Sequence, residues 1–230
     1  VLALAPADQL ALYDCGIILW KLVRKSEALV RFQKLLSYAP DDTDAMFASG
    51  SLLLALDEPG EAADMLSRYL DKKSDDTEAW FLLAAGAETQ KKYSRALDAY
   101  DKIVALDPKK ADAWFGEARL LLTVVEDPQK GLNALTKGLD MGFTDTLAVK
   151  ALLDSPSLLE RDQVEAALKA HSLLPEASAA TGAAGGTPAE GATSSTASGQ
   201  AAGAAGASPA GGASQPTGAP PDTKAPPHAK

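Results

Sequence analysis

The chain has 230 residues, a net charge of −9 and a sequence pI near 4.7. That acidic balance argues against a nucleic-acid phosphate backbone as the main partner and against adhesion to anionic membranes. The single cysteine, Cys15, rules out an intrachain disulfide, and no apolar run reaches the roughly 18 residues that a membrane span needs.

Val1-Leu2-Ala3-Leu4-Ala5-Pro6 matches Leu35-Leu36-Ser37-Tyr38-Ala39-Pro40, 34 residues later. Residues 1–8 therefore read as the end of a preceding repeat. The rival reading is a processed N-terminus, because Ala3-Leu4-Ala5 has the small-x-small form of a signal cleavage site. The first reading is favoured because the match includes the proline as well as the apolar pattern.

The first helix pair is predicted over about residues 9–42. One helix carries Leu12, Cys15, Gly16 and Leu19; the other carries Ala28, Phe32, Leu35 and Leu36, at spacings of three and four that share a face. Cys15 reads as a small buried hydrophobe. The second pair, about 43–76, opens with Asp41-Asp42-Thr43-Asp44, and the third, about 77–110, with Asp75-Asp76-Thr77-Glu78. These are helix starts: capping side chains, then an acid that suits the helix dipole. Their spacing does not match a calcium loop, so no metal site is expected. Asp57-Glu58-Pro59-Gly60 is the turn inside the second pair, with Pro59 opening its second helix.

The fourth pair, about 111–144, is degenerate: residues 122–128 hold one extra residue, and the pattern resumes at Gly131, Leu135 and Leu139. Capping helices are predicted over 145–174. The first places Leu147, Lys150 and Ala151 in the repeat frame. The second, from about Ser157 to Leu174, sets Leu159, Val164, Ala167 and Leu168 against a polar face of Arg161, Asp162, Glu165 and Lys169. His171 near its end reads as a surface residue. Residues 176–230 are almost wholly Ala, Gly, Ser, Thr and Pro and are expected to be a disordered tail, because they cannot bury enough surface to offset the entropy of ordering. An SH3-type reading of Pro220-Pro221 and Pro226-Pro227 is not favoured.

Residues recur in phase every 34 positions. Leu12, Met46, Trp80 and Trp114 are bulky at the fourth position; Gly16, Gly50, Ala84 and Ala118 are small at the eighth; Ala28, Ala62 and Ala96 are small at the twentieth. Pro40 and Pro108 close their repeats, and Ser74 stands for the proline between them. The clearest unit runs from Thr77 to Pro108, with Trp80, Leu83, Ala84, Ala96, Tyr100, Ile103 and Pro108 in place. Its pattern and period resemble the tetratricopeptide repeat. The resemblance implies an all-α fold, a right-handed superhelical α-solenoid of antiparallel helix pairs in which each repeat buries its apolar face against its neighbours.

In that family the first helices of successive pairs line a concave groove. The resemblance places Tyr13, Phe47, Phe81 and Phe115 in it from the fifth position, and Asp44 and Glu78 from the second. It adds Asp14 from the sixth, Arg119 from the ninth, and Trp20 and Glu88 from the twelfth. An aromatic ladder with an acidic rim suits an apolar, partly basic peptide or helix. The rival reading is that the aromatics pack on neighbouring helices. A clamp for a terminal carboxylate is disfavoured, because the face lacks the Lys and Asn of such clamps. With two His, one Cys and no phosphate loop or catalytic constellation, an enzyme is not expected, nor a cofactor. The expected function is a protein-binding module; the alternative is an assembly subunit that self-associates. The tail on a short array suggests a bacterial protein, cytoplasmic or periplasmic.

Overall fold

A computed structural model describes residues 8–174. The readings of residues 1–7 and of the tail, including its Pro-Pro pairs, lie outside the described residues. The helices in chain order are α1 (Gln9–Lys21), α2 (Lys25–Tyr38), α3 (Thr43–Ala55), α4 (Pro59–Leu70) and α5 (Thr77–Thr89). They continue as α6 (Tyr93–Leu106), α7 (Ala111–Thr123), α8 (Pro128–Asp140), α9 (Thr146–Leu153) and α10 (Arg161–Ala170). No strand occurs among the described residues. α1–α8 form four pairs, and the second helix of each pair also packs on the first helix of the next.

Size complementarity brings the helices of a pair together. The Phe32 ring lies over Gly16 so closely that a Cβ there would sit 2.7 Å from Cζ, and a Cβ on Gly50 would sit 2.7 Å from Leu66 Cγ. Ala28, Ala62 and Ala96 are wholly buried on the crossing helices, beside Phe32, Leu66 and Ile103. Each such large side chain contributes roughly 1.5–3 kcal/mol by leaving water.

The joints have a chemistry of their own. Asp8, Asp42 and Asp76 cap α1, α3 and α5, each carboxylate accepting from backbone N–H groups in the first turn. Lys110 holds the same place before α7 and makes no side-chain cap; Asp145 restores it before α9. Inside the first three pairs the first helix ends in a left-handed residue, Val23, Asp57 and Lys91 at φ 61°, 63° and 57°; in the longer turn of the fourth pair Glu126 takes that conformation at φ 61°. In the first, Arg24 N–H donates to the Leu19 carbonyl at 2.9 Å and Val23 N–H to that of Trp20 at 2.8 Å, the paired bonds of a Schellman cap. Glycine favours this conformation, whereas a side chain costs about 1–2 kcal/mol there. Val23 is 74% exposed, so removing its side chain forfeits little packing. Val23→Gly should therefore stabilise the fold by about 0.5–1 kcal/mol once glycine's greater freedom in the unfolded chain is subtracted. A higher thermal midpoint than wild type checks this.

The C-terminal end departs from expectation in two places. The extra residue in the α7–α8 turn shifts everything after it: α8 and α9 each begin 35 residues after their counterparts α6 and α7. Val149 and Leu152 are thus the buried residues of α9, whereas Leu147, Lys150 and Ala151 are exposed. The last helix starts at Arg161, not near Ser157. Leu159 N–H is taken by the Leu122 carbonyl at 3.0 Å, and Glu160 turns the chain at φ 50°. From there Val164 and Leu168 are wholly buried.

His171 ties the end of α10 to α8. Its Nδ1 lies 2.9 Å from the Ala167 carbonyl and its Nε2 3.1 Å from Asp140 Oδ1. Both nitrogens face acceptors, so the imidazolium is favoured, and the pKa is raised by the Ala167 contact first and Asp140 second. The folded pKa is the higher one. The stabilisation is therefore fully present below the unfolded value of about 6.5 and is lost as pH rises through the folded value. NMR titration should give His171 a midpoint above the ordinary histidine value, and Asp140→Asn should lower it.

Candidate protein interface

The fifth-position aromatics lie along the first helices, and each meets a second aromatic from elsewhere in the stack. Tyr13 meets Phe32 edge-on with ring centroids 5.7 Å apart, Phe47 meets Tyr69 at 5.3 Å, and Phe81 meets Tyr100 edge-on at 6.1 Å. All three remain half-buried, so part of each ring still faces outward. Phe115 does not. It is 4% exposed and stacked on Phe143 at 4.0 Å, and the expectation that it offers surface to a partner is corrected. The rearranged turn after α8, with Gly142 at φ 91°, brings Phe143 over it.

The sixth position is also interior where repeats stack: Ala48, Leu82 and Gly116 are buried, and only Asp14 is exposed. Trp20 is half-buried against the core of the first two pairs. The aromatic ladder is therefore shorter than its sequence suggests, with Tyr13, Phe47 and Phe81 as its accessible members.

Asp44, Glu78 and Asp112 are exposed, one per repeat, and none takes part in an ion pair among the described residues. Their field is felt locally. The Tyr13 hydroxyl is pushed above its ordinary pKa by burial and then by Asp44, Asp42 and Asp14. Burial, followed by Asp76, raises Glu78. Tyr69 links the ladder to the next helix start: its hydroxyl donates to Asp76 Oδ2 at 2.6 Å while Asp76 Oδ1 caps α5.

Glu88 and Arg119 are not independent binding residues. Tyr100 Oη donates to Glu88 Oε1 at 2.8 Å, and Arg119 Nη2 pairs with Glu88 Oε2. Burial opposes the Arg119 charge and Glu88 more than offsets this, so the arginine pKa is raised. The network joins α5, α6 and α7 under the face, and its charges largely cancel.

A second surface, where first and second helices meet, is absent from the sequence reading. Trp80 and Trp114 are only half-buried, and their indole N–H groups donate to the Ser74 and Pro108 carbonyls at 3.0 and 2.9 Å. Beside each opens a cleft, of about 520 Å³ at Trp80 and about 130 Å³ at Trp114. Arg95, Ala99 and Lys102 line the first where Lys130, Ala134 and Lys137 line the second. The readable signal is this set recurring at a spacing of 35, one more than the repeat. Lys137 Nζ covers the Trp114 ring at 4.4 Å, and Glu117 keeps a buried, unpaired Oε2 in the smaller cleft. Among the described residues no group of three His, Cys, Asp or Glu side chains is placed to hold a metal ion, and no helix is long and apolar enough to cross a membrane.

Stacked helix pairs that set one side chain per repeat along a common face define an α-solenoid protein-interaction module. The chain belongs to the tetratricopeptide repeat family, whose model matches residues 13–77, 47–111 and 81–123. Among solved structures, it resembles YrrB, described as a TPR protein with an unusual peptide-binding site. That match has 25% identity and a TM-score of 0.60, covering 65% of this chain and 77% of that one. It also resembles a MamA protein at 17% identity and a TM-score of 0.60, covering 71% and 89%. MamA from Desulfovibrio magneticus RS-1 matches at 24% identity and a TM-score of 0.55, covering 59% and 76%. Comparison with curated proteins gives no significant match.

Proposed function

We propose that the chain is a non-enzymatic module that holds a peptide segment or helix of a partner protein along its first helices. Phe47 and Phe81 supply apolar contacts, and Asp44, Glu78 and Asp112 supply an acidic rim. The observation that carries this reading is the rim itself: three exposed carboxylates, one per repeat, without an ion pair, flanking rings that are half open. A partner with apolar side chains and positive charge fits that combination. The YrrB likeness supports a peptide ligand for this architecture.

Phe81 packs on Tyr100, so its truncation would disturb fold and face together. The cleaner test uses the rim. Asp44→Lys with Glu78→Lys, in the full chain, should lower the unfolding free energy measured in urea by no more than about 2 kcal/mol, because each acid sits in the first turn of its helix. Capture of basic, apolar peptides from an array should fall at least tenfold, an effect of about 1.4 kcal/mol. Undiminished capture would remove the rim from the site.

A second reading, self-association, is favoured by α1. Leu10, Ile18 and Leu22 are 69%, 58% and 61% exposed, although Leu52 and Leu120, at the repeat position of Ile18, are 0% and 1% exposed. Light scattering across a concentration series tests it, and a monomer throughout would count against it.

A further inference from the structure

We propose that the first-helix face has a ligand within its own chain: residues 219–230, APPDTKAPPHAK, which compete there with an external partner. The proposal rests on the reading of that face as a peptide site. Pro220-Pro221 and Pro226-Pro227 fix φ at four of the twelve residues of the segment. A proline-rich strand restricted in this way loses little entropy on docking, and aromatic-lined grooves are the usual receptors for such segments. Tyr13, Phe47 and Phe81 provide the rings.

Charge selects this segment from the rest of the tail. Lys224 and Lys230 are the only Lys or Arg residues after Lys169; with Asp222 they give residues 219–230 a side-chain charge of +1, whereas residues 176–218 hold only the acids Glu176 and Glu190. Opposite the two lysines stand Asp14, Asp44, Glu78 and Asp112, which have no ion-pair partner among the described residues. The raised Tyr13 pKa, in which Asp44, Asp42 and Asp14 all take part, independently marks uncompensated negative charge at the rings. The outer clefts fit less well: in the larger one Arg95 and Lys102 already share the walls with Asp71 and Asp98, and in the smaller one Lys130 and Lys137 outnumber Glu117.

Reach is not limiting. At about 3.3–3.6 Å per residue, the stretch between Leu174 and Ala219 can extend on the order of 150 Å. Tethering also raises the effective concentration of the segment, so a weak intrinsic affinity suffices for occupancy.

The test places a spin label at residue 228 through His228→Cys in full-length Cys15→Ala protein and reads backbone amide broadening. Broadening is expected along α3 and α5. It should be lost with Asp44→Lys plus Glu78→Lys, and with Lys224→Glu plus Lys230→Glu. Deleting residues 219–230 should raise affinity for a basic, apolar array peptide several-fold. No broadening, broadening centred on Trp80 and Trp114, or unchanged peptide affinity after the deletion would each overturn the proposal. If array peptides still bind in a Glu78-dependent way, the peptide-site reading stands and only the internal ligand falls. If neither peptide nor label reaches the face, both fall.

Discussion

Phe32→Ala is expected to destabilise the protein by about 3–5 kcal/mol, a large share of the 5–15 kcal/mol typical of a domain. The ring is wholly buried, seated over Gly16 and against the edge of Tyr13. Its removal leaves a cavity between α1 and α2 that backbone packed at glycine distance cannot fill. The same geometry predicts a change of sign at Gly16. In wild type, a Cβ there would meet three ring carbons at 2.7, 2.9 and 3.0 Å, so Gly16→Ala should be destabilising despite alanine's better helix propensity. In the Phe32→Ala background the obstacle is gone. Gly16→Ala should then stabilise by up to about 1 kcal/mol from propensity, with a further gain from partly filling the cavity. Urea unfolding of the four proteins in this cycle supplies the measurement. Additive effects would show that Gly16 is small for some reason other than Phe32.

The sequence makes the repeating parts legible, because stacking constrains the same positions in every unit. The small residues at 16, 50, 84 and 118 and the capping aspartates at 42 and 76 are read directly from the sequence, whereas the same role of Asp8 emerges only in the structure. Consequences of irregularity are harder to read. One inserted residue moves the register of α9, so the buried pair becomes Val149 and Leu152, and a single backbone bond from Leu159 to Leu122 delays α10. The left-handed residues at 23, 57 and 91 were also hidden, because none is the glycine that usually marks that conformation.

The candidate site was legible in its chemistry more than in its exposure. A side chain's position in the repeat says which way it points, but not what lies on top of it. Phe47, Phe81 and Phe115 have the same residue type and the same position. Phe115 is covered because the degenerate turn after α8 delivers Phe143 onto it. Glu88 and Arg119 sit 31 residues apart and pair across neighbouring repeats. The fourth position diverges too: Leu12 and Met46 are buried to 1%, whereas the larger Trp80 and Trp114 overrun the available space and floor the outer clefts.

The junction between the third and fourth repeats is where fold and face should fail together. A Cβ on Gly116 would lie 2.5 Å from Tyr100 Cζ, 2.7 Å from Cε1 and 2.9 Å from the hydroxyl oxygen. Tyr100 has nowhere to withdraw: it is 7% exposed, its edge meets Phe81, and its hydroxyl is held by Glu88, which is itself paired with Arg119. Gly116→Val must therefore displace α7 or break that network, and a loss of about 2–3 kcal/mol is expected. A substitution elsewhere in the core would lower stability without a specific effect on binding. Here the displaced ring carries Phe81 and Glu88 with it, so peptide capture measured well below the unfolding transition should also weaken. Tyr100→Leu should restore much of the stability of Gly116→Val by clearing the obstruction, but not the binding, because the Phe81 edge contact and the Glu88 hydrogen bond are absent from that pair. If both properties recover together, Tyr100 is a spacer and Phe81 and Glu88 keep their places without it.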